Sequence, residues 1–82
     1  MKTEIINKVV EALKVKVYRF ETDFTYKVDE EEGSITIYPS REEFVGHHIG
    51  NLQWFGEVCT FFDVILSVGI EYLSNRMYII IH

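Results

Sequence analysis

Apolar and polar residues follow a helical period at the start of the chain. Between residues 3 and 14, apolar side chains recur every three or four positions, and polar side chains fill the opposite face. Thr3 is a suitable N-cap, because its hydroxyl accepts hydrogen bonds from unpaired backbone N–H groups. The pattern predicts an amphipathic helix over residues 3–14, whose apolar face holds Ile5, Ile6, Val9, Val10 and Leu13.

From Lys16 to Val28 the period changes to two, which is typical of a half-buried strand. One parity is largely apolar and consists of Tyr18, Phe20, Thr22, Phe24, Tyr26 and Val28. Because this segment is long for a single strand, we expect a bulge or bend near residues 21–23 to divide it. A second strand is then predicted over residues 35–39, and it ends at Pro39. Pairing Val28 with Ile35 and Tyr26 with Ile37 places the apolar side chains on one face and predicts a hairpin.

Helical spacing returns after Pro39. Ser40 and Glu43 have the spacing of a capping box, so a short helix is expected from Arg41, with Gly50 as its C′ residue. Asn51 is then the N-cap of a longer helix that extends to Ser74. Polar residues recur along that segment at steps of three and four, and a wide apolar arc, which includes Leu66, fills the remainder.

The last predicted element is the apolar run 77–81, which suits either an interior strand covered on both faces or an edge strand that pairs with another copy. Together the elements predict an α+β domain that spans residues 1–82. Its small, mainly antiparallel sheet of about three to four strands packs against helices, in the order α-β-β-α-α-β.

Composition supports a folded domain, since 48% of the 82 residues are hydrophobic. Cys59 is the single cysteine, so an intrachain disulfide and a cysteine-rich zinc site are excluded, and a reducing, cytoplasmic location is expected. No export signal is expected, because Glu4 and Asn7 lie where a signal peptide needs an uninterrupted apolar core. No membrane-spanning segment is expected, because the most apolar stretch is broken by Asp63 and closed by Glu71.

Charge narrows the range of partners. The net charge is −5, and residues 42–82 contain five acids but a single base, Arg76. Direct binding to nucleic acids is disfavoured, because it requires clustered Lys and Arg. Six acids are predicted to bind a partner: Asp29, Glu30, Glu31, Glu32, Glu42 and Glu43. With a second acidic stripe of Glu57, Asp63 and Glu71, they suit a basic protein surface. The alternative is a loop tip that is merely solvated.

Reactive side chains give little support for catalysis. His47 and His48 are adjacent, so on a helix their side chains diverge by about 100° and cannot hold one metal ion together. Glu43 and His47 have a suitable spacing, but a third ligand would have to come from Asp63 or His82. The histidines are instead interpreted as a polar corner, and Cys59 as a buried, inert thiol. No metal and no cofactor are expected.

These observations favour a non-enzymatic protein that acts by surface contact. The leading hypothesis is a small acidic inhibitor or modulator of a nucleic-acid-handling protein, of the type that phages and mobile elements encode. One alternative is a homodimeric structural or interaction module that pairs through its C-terminal strand. A less favoured alternative is an enzyme or metal site that uses His47 or His48.

Overall fold

The computed structural model describes residues 1–41, 45–74 and 76–82, and for residues 45–49 it describes the backbone alone. The elements are α1 (Thr3–Lys16), α2 (Phe20–Asp23), β1 (Phe24–Asp29), β2 (Ser34–Pro39), α3 (Val45–Phe62), β3 (Leu66–Ile70) and β4 (Met77–Ile81). In this described part of the chain, the strands form one sheet in the order β1-β2-β4-β3, with antiparallel neighbours throughout. The predicted α+β class is confirmed.

The first helix agrees with its prediction and is two residues longer. The predicted face is buried at Ile6, Val9, Val10 and Leu13. The N-cap position belongs to Lys2 rather than Thr3, and no side chain caps it. Helix α1 packs against α3, and the two cover one face of the sheet.

The prediction of a strand from Lys16 to Val28 is wrong for residues 16–23. Leu13, Val17 and Phe20 are buried at spacings of four and three, which continues the helical period past the end of α1. Tyr18, which the strand prediction placed on the buried parity, is exposed. Arg19 has a φ of 54° and precedes the short helix α2. Residues 21–23, where a bulge or bend was expected, belong to α2, and the strand begins after them at Phe24.

The hairpin register is as predicted. Val28 pairs with Ile35, and Tyr26 pairs with Ile37. Gly33 ends the connecting turn with a φ of 66°, a conformation that side chains disfavour. The Met1 amino group donates a 2.8 Å hydrogen bond to the Gly33 carbonyl oxygen, which joins the turn to the start of α1.

The two helices predicted on either side of Gly50 are one continuous helix, α3. Gly50 lies in its interior and is not a C′ residue. The predicted helix start at Arg41 is wrong, because Arg41 is not helical, and Glu43 of the predicted capping box lies outside the described residues. A glycine in a helix interior costs up to about 1 kcal/mol relative to alanine, so packing of the rest of α3 must offset this cost.

Gly50→Ala is expected to raise the free energy of unfolding by about 0.4–1 kcal/mol, because alanine restricts the unfolded chain and is compatible with a helical backbone. Apart from the neighbouring residues and the backbone of α3 itself, no described atom lies within 4 Å of a Cβ at this position. Urea denaturation of both proteins measures the change. A lower midpoint for the variant would indicate that Gly50 is a left-handed helix end instead.

The long helix predicted to reach Ser74 ends at Phe62. Asp63 has a φ of 54°, which interrupts the helix, and the chain then enters β3. Leu66 therefore lies on a strand, where it is partly buried against the core. Glu57, Asp63 and Glu71 do not form the predicted acidic stripe, because one lies on α3, one at the helix end and one after β3.

The C-terminal strand β4 is an interior strand, which is the first of the two possibilities predicted for residues 77–81. Its neighbours are β2 on one side and β3 on the other, so both of its edges are paired. Met77, Ile79 and Ile81 are buried on the helix-covered face, whereas Tyr78 and Ile80 on the opposite face are only partly buried. Burial is therefore one-sided, and the expectation of cover on both faces is wrong.

Candidate protein-interaction surfaces

The acidic turn is the first predicted site. We define it as Asp29–Glu32, the four acids from the last residue of β1 to the residue before Gly33, and all four are exposed. The backbone N–H of Glu32 donates a 3.0 Å hydrogen bond to Asp29 Oδ1, which shapes the turn. Among the described residues, no cation lies within ion-pair distance of these carboxylates. The turn therefore presents closely spaced negative charge to solvent.

The other predicted site residues are not brought to the acidic turn by described geometry. Glu42 and Glu43 lie outside the described residues. The backbone at His47 and His48 belongs to the start of α3, so it does not form a corner between two helices. The side chains of His47 and His48 lie outside the part of the chain that the structure describes.

Asp63 and His82, which were considered as the third ligand of a metal site and set aside, lie on different parts of the fold. His82 follows β4, and its Nε2 lies 3.0 Å from Ser67 Oγ, whereas Asp63 follows α3. The described residues contain no group of three or more His, Cys, Asp or Glu side chains arranged to hold a metal ion.

Cys59 is buried, as predicted. Burial raises the pKa of its thiol to about 11, so the thiol stays protonated at neutral pH. Because the thiolate is the reactive form, this side chain behaves as a small apolar core residue. Its neighbours along α3, Phe55 and Val58, are also buried.

An apolar groove lies between α1 and α3, which sequence analysis did not predict. Its volume is about 580 Å³, and it is lined by Glu11, Ala12, Val15, Lys16, Glu57, Val58, Phe61 and Phe62. Val15 on α1 is 83% exposed and Phe61 on α3 is 82% exposed, so the groove is bordered by apolar surface that faces water. Lys16 Nζ and Glu57 Oε2 lie 3.9 Å apart, so the helices also contact each other through an exposed ion pair.

A second exposed apolar surface lies along β3 and the turn after it. Ile65, Val68 and Ile70 are exposed on or next to this edge strand, and Tyr72 and Leu73 in the turn are almost fully exposed. Ile65, Tyr72 and Leu73 were predicted to lie on the wide apolar arc of a helix, and their exposure was not predicted.

The sheet face opposite the helices carries a polar and aromatic cluster. The Arg76 guanidinium lies 4.9 Å from the centre of the Tyr38 ring, and its Nη2 donates a 3.0 Å hydrogen bond to the Pro39 carbonyl oxygen. Tyr78 lies beside Tyr38, with ring centres 6.3 Å apart. Burial, with a smaller effect of the hydrogen-bonded Glu71, raises the pKa of Tyr38. Arg76, the sole base of residues 42–82, is thus engaged within the protein.

Among the described helices, none combines the length and apolar character that crossing a bilayer requires. Comparisons with known proteins found no matching family model, no similar curated protein and no similar solved structure.

Proposed function

We propose that this protein acts without catalysis by binding another protein, and that the groove between α1 and α3 supplies the apolar contact. The exposure of Val15 and Phe61 on either side of the groove carries this proposal. Contiguous apolar surface exposed to water is unfavourable and often marks a protein-binding site. A large aromatic side chain at such a surface can provide much of the affinity of an interface.

The partner we propose has a basic surface. The acidic turn holds four adjacent, exposed carboxylates, and the whole chain carries a net charge of −5. Such charge attracts a basic protein over a distance of about one Debye length, roughly 8 Å at physiological salt, and increases the association rate. Nucleic-acid-handling proteins offer basic surfaces of this kind, since those surfaces bind phosphates.

The full proposal is therefore a small acidic inhibitor or modulator of a nucleic-acid-handling protein, whose carboxylates take the place of phosphates. The proposal includes an origin in a phage or mobile element, which the small size and the acidity suggest. It also includes a cytoplasmic location, which the free, buried Cys59 supports. The alternative of a homodimer formed through the C-terminal strand is less favoured, because β4 lies between β2 and β3 in the sheet.

Two substitutions test the proposal with a partner identified by affinity capture and mass spectrometry. Glu31→Lys is expected to slow association, and added salt should reduce the difference from wild type, because the charge acts during the encounter. Phe61→Ala is expected to accelerate dissociation by about tenfold or more, as loss of an interface anchor typically does. Surface plasmon resonance measures both rates.

Glu21→Lys is the matched control for charge. Glu21 is exposed and lies on α2, and its reversal changes the net charge by the same amount as Glu31→Lys. If Glu31→Lys and Glu21→Lys alter the association rate equally, the acidic turn has no special role. If Phe61→Ala leaves dissociation unchanged, the groove is not the binding site.

A further inference from the structure

The edge strand β3 lacks the features that usually prevent edge strands from pairing with another chain. Its sequence, LSVGI, contains no charged residue and no proline, and its five residues pair one to one with β4, without a bulge. Natural edge strands are commonly protected by such charges, prolines or bulges. The other edge strand, β1, contains Lys27 and Asp29 and leads directly into the acidic turn.

Hydrogen bonding to β4 shows which backbone groups of β3 face outward. Ile65 and His82 exchange backbone hydrogen bonds of 2.8 and 3.0 Å, and the N–H of Glu71 donates to the Arg76 carbonyl oxygen at 2.8 Å. Bonded and non-bonded pairs alternate along an antiparallel ladder. The backbone groups of Leu66, Val68 and Ile70 therefore point away from β4, toward the unpaired edge.

The side chains of the same three residues are apolar and lie on the helix-covered face of the sheet, as their register partners Met77, Ile79 and Ile81 do. Although this is the buried face, Val68 is 49% exposed and Ile70 is 59% exposed. The helical layer therefore leaves the β3 edge uncovered. Apolar side chains next to unpaired backbone groups are suited to contact with a further strand.

We infer that β3 pairs with β3 of a second copy of this chain, antiparallel about a two-fold axis at Val68. In this register Val68 faces Val68 of the second copy, and Leu66 faces Ile70. Each of the three resulting pairs brings outward-facing N–H and C=O groups together, so two bonds per pair give six in total. The two four-stranded sheets join into one sheet of eight strands.

The charges within the strand do not oppose a second copy at the β3 edge. Each chain has a net charge of −5, but residues 66–70 are uncharged, so pairing through β3 opposes no like charges within the strands. Strand β1, in contrast, contains Lys27 and Asp29, charged side chains of the kind that protect natural edge strands from pairing. An interface based on one edge strand is small, so we expect a dimer that depends on protein concentration.

Sedimentation equilibrium of the full chain at a series of concentrations tests this inference. The expected mass rises with concentration from 9.7 kDa toward twice that value. Val68→Lys places two ammonium groups beside the two-fold axis and is expected to hold the mass at that of one chain. Val28→Lys is the control, because Val28 lies on the same face at the opposite edge, is 40% exposed, and should leave the dimer intact.

A wild-type mass of one chain at every concentration would overturn the inference. The β3 edge would then be available to pair with an extended segment of another protein. Retention of the doubled mass by folded Val68→Lys would also overturn it. Circular dichroism establishes folding, and Ile70→Lys replaces Val68→Lys if that variant unfolds. Glu31→Lys and Phe61→Ala change other elements and should keep the doubled mass, so failure of the proposed partner binding is distinguishable from failure of self-pairing.

Discussion

Phe55→Ala is expected to lower the free energy of unfolding by about 3–5 kcal/mol, because it removes a large, fully buried side chain and leaves a cavity. Phe55 has no exposed surface, and its ring makes edge contacts with Phe20 and Phe24 at centroid distances of 6.1 and 5.3 Å. This cluster joins α3 to α2 and to the start of β1. Urea denaturation followed by circular dichroism measures the loss.

Phe61→Ala is the matched control on the same helix. The removed atoms are the same, but Phe61 lies at the exposed side of α3, so the expected change is within about 0.5 kcal/mol. Similar losses for the two variants would mean that α3 is rotated relative to the sheet. The groove would then not have the lining on which the proposed function depends.

Ile79→Ala is expected to cost about 2–5 kcal/mol, as truncation of buried isoleucine usually does. Ile79 is fully buried at the centre of the sheet, where it lies between Ile37 on β2 and Val68 on β3. Its side chain faces the helices, so little backbone adjustment can close the space. Thermal and chemical denaturation of the variant test the prediction.

Ile80→Ala provides the comparison, because Ile80 is the next residue on the same strand but points to the opposite face. There it lies between Thr36 and Ser67 and is only partly buried. We expect a loss of about 1 kcal/mol, which is typical of single substitutions. Equal losses at the two positions would show that both faces of β4 are covered, in contradiction to the one-sided packing.

The first helix and the hairpin could be predicted because their patterns are long and each has one solution. Residues 3–14 keep one apolar face over more than three turns. In the hairpin, a shift of one residue would have moved Ile35 and Ile37 to the solvent-facing side, so burial fixes the register. The register found between β1 and β2 is the one that keeps these residues buried.

Strand β3 was missed because its signal is only five residues long. Leu66, Val68 and Ile70 alternate with Ser67 and Gly69. Further back, along α3, apolar and polar residues no longer alternate in this way. Most side chains between Trp54 and Leu73 are apolar, so a helical period could be fitted through the whole segment. The break depends on Asp63 adopting a positive φ, which the pattern of apolar residues does not reveal.

The groove was missed for a related reason. Helix α3 is apolar on a wide arc, so the sequence does not show which part of the arc faces the sheet. Phe55, Val58 and Cys59 face the core, whereas Phe61 faces solvent. In contrast, the exposure of the acidic turn could be predicted, because four consecutive acids are not buried without partners. Its role in binding stays a prediction.

Hydrogen exchange of the backbone amides in residues 66–71, measured by NMR in dilute and in concentrated protein, tests most directly whether this segment is an edge strand that binds a second copy. In dilute protein we predict slow exchange at Ser67, Gly69 and Glu71, which face β4, and fast exchange at Leu66, Val68 and Ile70. In concentrated protein the latter three should become slow as well. Uniformly slow exchange in dilute protein that has the mass of one chain would indicate a continuous helix, and unchanged alternation on concentration would contradict self-pairing.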